Sequence, residues 1–525
     1  MGTTLAAFCF IRFHTPYADT GVLAGIIKCG LADWQEFMRD VHYAKCRWFF
    51  GKPIYLLYTL LYKFVVPFRY EVLPACLLAL IGLNGYLAKR IFAFFFEPKT
   101  SSLGAIVYVY LLFVAYWLCP LRNEIYLMTI MCLVLLNSLR FHKSERITLF
   151  YVNIVLVCCL GVTIHPNSFY LVLYLFFFFV AFKIYRTHLW SSVFLTLLCT
   201  LVGLAILLWP SLTEFQANIK YLATRDGERF LLGLKFFQIV GAGFYKNGYQ
   251  YPLVVSALAL SILNFRALVS FFKRPSPAEK ILVLYMGALV VHFLFVPSAN
   301  WKVYSVHFLF PLAFWLTYVL DGDRKTQLNA PMSLAVCILL MIPVVREYHF
   351  LDKAGVLIPC SLFLLFVILN RFRITRKLIL ATMFVFVCVH VFQLYTNHKW
   401  YRRMSAVLTQ TGETCIVTSS IFEFLGVEYD IRLMSRAHNL AGLAESHVML
   451  LDRVQFDRSG LTRAPDHCFR FNNHFIPRIY QEWFLFLPRK TDTDEAATIG
   501  KLLYPAVGWR PPSGHGLLQS GLMPP

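Results

Sequence analysis

Apolar residues in this chain come in long runs, without the strict alternation of a half-buried strand. Runs close to the length a bilayer demands, about 20 residues, fall at 72–92, 103–119, 125–139, 147–164, 168–184, 190–209, 251–270, 280–297, 302–320, 331–346, 354–371 and 377–396. The pattern predicts about twelve transmembrane spans. They must be helices, because in lipid each backbone N–H and C=O has to be satisfied within its own segment, and barrel alternation is missing. A further apolar stretch at 3–11 is too short to cross and does not read as a cleavable signal peptide. It is expected to be a thirteenth, incomplete helix, or the true start lies upstream.

The short gaps between runs alternate in charge. Lys89, Arg90 and Lys99 share one kind of gap with Arg140, Lys143 and Arg146, then Lys183 and Arg186, Lys273, Arg274 and Lys280, Arg324 and Lys325, and Arg371 to Lys377. The intervening gaps are poor in basic residues: Arg122, none around Pro166, Lys302, then Arg346 and Lys353. Basic loops stay on the cytosolic side. The rich set is therefore expected to be cytosolic, which puts three larger pieces on the other face: 13–71, 211–250 and everything after about 397.

The tail has a different pattern. TCIVTS (414–419), YDIRLM (429–434) and HVMLLD (447–452) read as buried strands, with helical stretches at 401–411, 420–426 and 438–445. The expected architecture is an α-helical polytopic membrane domain over 1–396 and a small α/β soluble domain over 397–525 with a loose C-terminal end. Cys29 and Cys46 in the first loop, and Cys415 and Cys468 in the tail, all fall on the outer side. Each pair is a candidate disulfide, with free thiols the alternative.

Composition agrees. Of 525 residues, 58% are hydrophobic and 15% charged, where soluble chains carry about a quarter charged. Lys and Arg number 49 against 28 Asp and Glu, a formal charge of +21. In a soluble protein that excess would suggest nucleic acid; here it sits in the gaps facing anionic lipid, and nucleic acid is excluded as a partner. The 14 cysteines include no CxxC and no zinc-type spacing.

Candidate chemistry concentrates in the first outer loop. Asp19 follows the first apolar stretch, with Glu36 and Asp40 downstream, and residues 53–67 read as an amphipathic helix lying in the membrane interface. Such a helix keeps an acyl chain in lipid while carboxylates meet a polar head at the surface. In the loop 211–250, TRDGER and GAGFYKNGYQ are either a flap over the site or a plain loop, and the glycines lack the strand–helix context of a nucleotide fingerprint.

The stretch from Asp19 to Phe92 resembles the start of polyprenyl-phosphate-dependent GT-C glycosyltransferases, the protein mannosyltransferases and the lipid A aminoarabinose transferases among them. The matching pieces are an early acid, then Lys52-Pro53-Ile54-Tyr55-Leu56-Leu57, and a span ending in Ala88-Lys89-Arg90. LGVTIHPNSFYLVLYL (160–175) is similar to the family's Leu-Thr-His turn, with His165 as the histidine, and Trp301-Lys302-Val303-Tyr304 before Pro311 is similar to its late Arg-Tyr…Pro opening. Where many members pair two acids, this chain has Asp19-Thr20, which keeps Glu36 and Asp40 as alternatives.

The resemblance implies direct displacement at an anomeric carbon on the non-cytosolic face, with inversion. Asp19 would take the acceptor's proton, and Lys52, Arg69, His165 and Lys302, or a divalent metal such as Mg or Mn, would offset the leaving phosphate. The donor would be a polyprenyl-phosphate sugar and the acceptor an envelope glycan or lipid, in a bacterial inner membrane or, alternatively, the endoplasmic reticulum. Rival readings are an O-antigen polymerase or ligase, and a lipid-linked-sugar flippase. The first lacks a sizeable tail, and the second normally shows internal repeats and ionisable residues deep in its spans.

Overall fold

The computed structural model describes residues 2–14, 51–66, 69–116, 123–208, 275–295 and 305–320, five strands between 415 and 486, and single positions such as Ile27, Phe271 and several between 380 and 406. The helices are α1 (Gly2–Phe13), α2 (Lys52–Phe64), α3 (Val72–Phe92), α4 (Pro98–Tyr116), α5 (Asn123–Ser144), α6 (Ile147–Ile164), α7 (Phe169–Ala181), α8 (Tyr185–Leu208), α9 (Pro277–Phe295) and α10 (Leu309–Leu320). Every expected span from 72–92 to 190–209, together with 280–297 and 302–320, meets one of them. The spans at 251–270, 331–346 and 354–371 lie outside the described residues, as does the loop 211–250. Among the described residues, α3, α5, α6 and α8 are long and apolar enough to cross a membrane.

Local chemistry sets the helix ends. α4 begins five residues before its apolar run because Pro98 is tolerated in a first turn, and Ser102 donates to the Pro98 carbonyl at 2.8 Å. α9 opens on a capping box: the Ser276 N–H donates to Glu279 Oε2 at 2.7 Å, and the Glu279 N–H to Ser276 Oγ at 3.3 Å. α6 carries a π-helical stretch of 7 residues, Val155–Gly161, immediately before its last turn at Val162–Ile164. Wider turns of this kind inside a helix re-aim the residues beyond them.

Burial separates centre from periphery. The apolar window of α5 is 72% buried and that of α8 only 22%, so α5 is the hub and α8 an outer wall. α8 accordingly exposes Trp190, Phe194, Leu197 and Leu201, side chains suited to lipid contact. Polar links tie α5 to its neighbours. Asn84 donates to Thr129 Oγ1 at 2.7 Å, Asn137 to Asn153 Oδ1 at 3.1 Å, and Asn153 to Val134 O and Ser138 Oγ. Links of this type inside a membrane contribute about 0.6 kcal/mol on average. An aromatic cluster of Phe92, Phe96, Tyr108, Phe310 and Phe314 joins α3 and α4 to α10. Gly104 lets them close up, since a Cβ there would meet the Phe92 ring at 2.6 Å.

In the tail, β1 (Cys415–Val417), β2 (Arg432–Leu433), β3 (Val448–Asp452), β4 (Cys468–Asn472) and β5 (Glu482–Phe486) form one mixed sheet in the order β2-β1-β3-β5-β4. β1 runs parallel to β2 and β3, while β5 is antiparallel to both β3 and β4. β1, β2 and β3 occupy the three expected strand segments. β4 and β5 are additional to them, and the helical stretches expected between strands lie outside the described residues.

The strand order bears on the candidate pair Cys415 and Cys468. Cys415 pairs with Val448, and Cys468 with Phe486, so β3 and β5 stand between the two cysteines. Three strand spacings amount to about 14 Å. A disulfide requires Cα atoms within about 7 Å, so this strand order favours the free-thiol alternative. Cys29 and Cys46 lie outside the described residues.

Candidate functional site

With consecutive helices joined by short turns, 93–97, 145–146 and 182–184 and the basic residues beside them fall at one end of the described bundle. At the opposite, basic-poor end, polar side chains gather where α2, α5, α6, α7 and α10 begin or stop.

Gly51 anchors this end. Its φ of 96° is left-handed, a conformation open to glycine and strained for other residues. Its N–H donates to the Thr163 carbonyl at 2.9 Å, and a Cβ on it would run into the Asn123 amide. Helix α2 then starts at Lys52-Pro53, proline being compatible with a first turn. Tyr55, Tyr58 and Tyr62 recur at helical spacing and turn inward. Tyr55 donates to Asn123 Oδ1 at 3.1 Å, the Tyr58 hydroxyl meets that of Tyr126 at 2.6 Å, and Tyr62 donates to the Arg69 carbonyl at 3.1 Å. Leu57, Leu60, Phe64 and Val65 are exposed on the other side. α2 thus shows hydroxyls to the protein and hydrocarbon outward, the reverse of a soluble surface helix and the polarity an interfacial helix needs.

The turn between α6 and α7 supplies the histidine. A residue before proline is driven out of helical geometry, and His165, preceding Pro166, is extended at φ −156°, ψ 138°. That step ends α6 and aims the imidazole across at α5. The Asn167 N–H donates to His165 Nδ1 at 3.1 Å. An accepting Nδ1 leaves the proton of the neutral ring on Nε2. Nε2 faces Glu124 Oε1 at 3.8 Å, with 10% and 4% of the two side chains exposed. Glu124 stands in the first turn of α5, where the helix dipole favours negative charge. The Asn167 amide lies 3.4 Å from His307 Nε2, and Tyr285 donates to the His307 carbonyl at 3.4 Å. Tyr170 packs against His307 and His292 at ring distances of 5.1 and 6.1 Å.

A second group sits beside α1. Arg12 meets Glu71 Oε1 at 3.4 Å, the His14 ring meets the Tyr70 hydroxyl at 2.8 Å, and Phe13 packs edge-on against Tyr395 and His398.

Among the expected site residues, the structure brings His165 close to the α2 start, through the contact of Gly51 with Thr163. Lys52 heads α2. Arg69 is exposed, at the far end of α2 beside Tyr62, so about 15 Å of helix separates its neighbourhood from Lys52. Asp19, Glu36, Asp40 and Lys302 lie outside the described residues. Arg122 lies outside the described residues, while Glu124, which is not among the expected site residues, stands beside His165. Its signal was an acid at the head of a span in a chain that otherwise avoids charge. Among the described residues no group of three His, Cys, Asp or Glu is placed to hold a metal ion. The pair His165–Glu124 presents an N–H donor beside a carboxylate acceptor.

No protein-family model matches the chain, and no curated protein matches it by sequence. Two solved structures do match in fold, both of ArnT from Cupriavidus metallidurans. The apo structure superposes with a TM-score of 0.52 at 12% identity, covering 92% of this chain and 96% of that one. The structure bound to undecaprenyl phosphate gives 0.53 at 14% identity, covering 92% and 97%. The chain has the fold of ArnT.

Proposed function

We propose that this protein is an integral membrane glycosyltransferase that moves a sugar from a polyprenyl-phosphate donor to an envelope glycan or lipid on the non-cytosolic face. The observation that carries the reading is the ArnT likeness over 92% of the chain, in a protein one of whose structures holds undecaprenyl phosphate. A soluble α/β tail after 396 belongs to the reading, supported by the mixed sheet of β1 to β5. The polarity of α2 supports it further: exposed Leu57, Leu60 and Phe64 suit a prenyl chain in lipid, while Lys52 heads the same helix at its polar end.

In this reading the charge alternation puts the polar end of the bundle in the periplasm. Asp19 accepts the proton of the attacking hydroxyl, with Glu36 and Asp40 as the alternative carboxylates. The acceptor oxygen bonds to the anomeric carbon as the bond from that carbon to the phosphate oxygen breaks, and the polyprenyl phosphate leaves with the electron pair. Lys52 and Lys302 offset its charge, and Arg69 guides the phosphate near the lipid surface.

The test uses the full chain in nanodiscs with a panel of undecaprenyl-phosphate sugars. Wild type is expected to release undecaprenyl phosphate from at least one donor, and folded D19N to lose turnover by about 100-fold or more. Full turnover by D19N moves the base to Glu36 or Asp40. Absence of binding and turnover with every donor defeats the transferase reading.

A further inference from the structure

We infer that the groove between the start of α4 and the segment at Leu380 holds one anionic glycerophospholipid, its phosphate at Lys99 and an acyl chain against Leu103, Ile106 and Leu380. The groove lies at the basic end of the bundle, which the charge alternation puts in the cytosolic leaflet. It is opposite the polar end described above, so the inference goes beyond the transferase reading and does not depend on it.

The sequence of α4 lays out the groove. Lys99, Ser102, Leu103 and Ile106 recur at i, i+3, i+4 and i+7, the spacing that brings side chains onto one helical face. From Lys99 to Ile106 that stripe runs about 10 Å along the helix, cation first and hydrocarbon after. Pro98 and Leu380, the latter from a distant segment, complete the lining of a cavity of about 460 Å³. Small-ligand sites span about 300–1,000 Å³. The cavity is reached from the membrane side, since Ile106 is 43% and Leu380 38% exposed. Lys99 is exposed at its basic end.

Charge selects the head group. The Ser102 hydroxyl already donates to the Pro98 carbonyl at 2.8 Å. Among the described lining residues, Lys99 is then the side chain with protons to give an incoming phosphate. Lys377 and Arg376 stand three and four positions before Leu380, and chain length alone keeps their Cα atoms within about 11 and 14 Å of it. Residues 93–106 and 371–384 contain a single acid, Glu97, so cations prevail around the groove. Each such Lys or Arg at a membrane surface adds attraction for anionic lipid. Inorganic phosphate would meet the cations but leave Leu103, Ile106 and Leu380 uncovered. A zwitterionic lipid would cover them but bring a cation of its own toward Lys99. An anionic phospholipid satisfies both ends.

The experiment titrates the full chain in detergent micelles with phosphatidylglycerol or with phosphatidylcholine of the same acyl chains, and reads bound lipid by native mass spectrometry. Wild type is expected to retain one phosphatidylglycerol about 5-fold or more tightly than phosphatidylcholine. K99A should weaken phosphatidylglycerol by about 5-fold, the share of one lysine at the surface, and leave phosphatidylcholine unchanged. I106W fills the apolar end while keeping every charge, and should weaken phosphatidylglycerol as well. K143A removes an exposed lysine of the same end outside the groove, and should bind as wild type. Because Lys99 is exposed, K99A against K143A decides the matter even where I106W fails to fold. Equal affinity for the two lipids overturns the inference. Equal losses in K99A and K143A do so too, by assigning the attraction to diffuse charge, as does unchanged binding in K99A. Displacement of the lipid by millimolar inorganic phosphate would make the site a phosphate site and likewise overturn it. Binding is read without turnover, so a chain inactive with every sugar donor still meets or fails this test on its own.

Discussion

Replacing Gly51 by alanine tests the scaffold that joins the start of α2 to the last turn of α6. Gly51 has φ 96° and its Cα faces the Asn123 side chain. A left-handed alanine costs about 1–2 kcal/mol. The added methyl also drives the Asn123 amide away, an overpacking cost of about 1–3 kcal/mol, and stretches the Tyr55–Asn123 bond of 3.1 Å, which contributes about 0.5–1.5 kcal/mol. The total is about 2.5–6.5 kcal/mol when the losses add. In an N123A background the methyl meets no amide and the Tyr55 bond is already gone, so G51A should cost only the backbone part, about 1–2 kcal/mol. Equilibrium unfolding in mixed detergent and SDS micelles gives all four corners of the cycle. The double variant is expected to be less destabilised than the sum of the two singles by about 1.5–4.5 kcal/mol. Additive effects, or a G51A variant as stable as wild type, would refute both the steric argument and the glycine requirement.

Three more consequences are open to measurement. N153L removes the donor to Val134 O and Ser138 Oγ and strands Asn137, so a loss of about 1–3 kcal/mol is expected in the same unfolding assay, partly recovered in N137L/N153L where neither partner is left unpaired. Peptide mapping of oxidised protein should find no Cys415–Cys468 cross-link, and C415S should leave the thermal midpoint unchanged under oxidising and reducing conditions alike. Burial, with Arg402 and Arg12 nearby and Glu71 opposing them, holds the His398 imidazole below its usual range. Its folded pKa is thus below the unfolded value of about 6.5, so its contribution is full above that value and fades as pH falls toward the folded pKa. H398Q should show a smaller drop in thermal midpoint from pH 7.5 to 5.5 than wild type, and equal drops would remove His398 from the account.

How much of this was legible in the sequence depended on whether the cause was local. Spans were legible, because the cost of unpaired backbone in lipid leaves an apolar run little choice but a helix. The break at His165 was legible too, since Pro166 acts on its immediate neighbour. β1, β2 and β3 announced themselves through valine, isoleucine and leucine, whereas CFRFN and EWFLF put a charge inside or at the head of a strand and needed their antiparallel partner to be recognised. Partnerships between distant segments were not legible at all. Nothing in the spacing of Cys415 and Cys468 says that β3 and β5 will come between them, because strand order is decided by tertiary pairing.

Glu124 shows the same limit in the site itself. Its carboxylate faces a histidine 41 positions along the chain. The π-helical turns of α6, the extended step at His165 and the first turn of α5 must all be in place before those two side chains face each other. A buried acid at the head of a span is costly to keep in a chain with 15% charged residues. A retained acid of that kind argues for work that apolar packing cannot do.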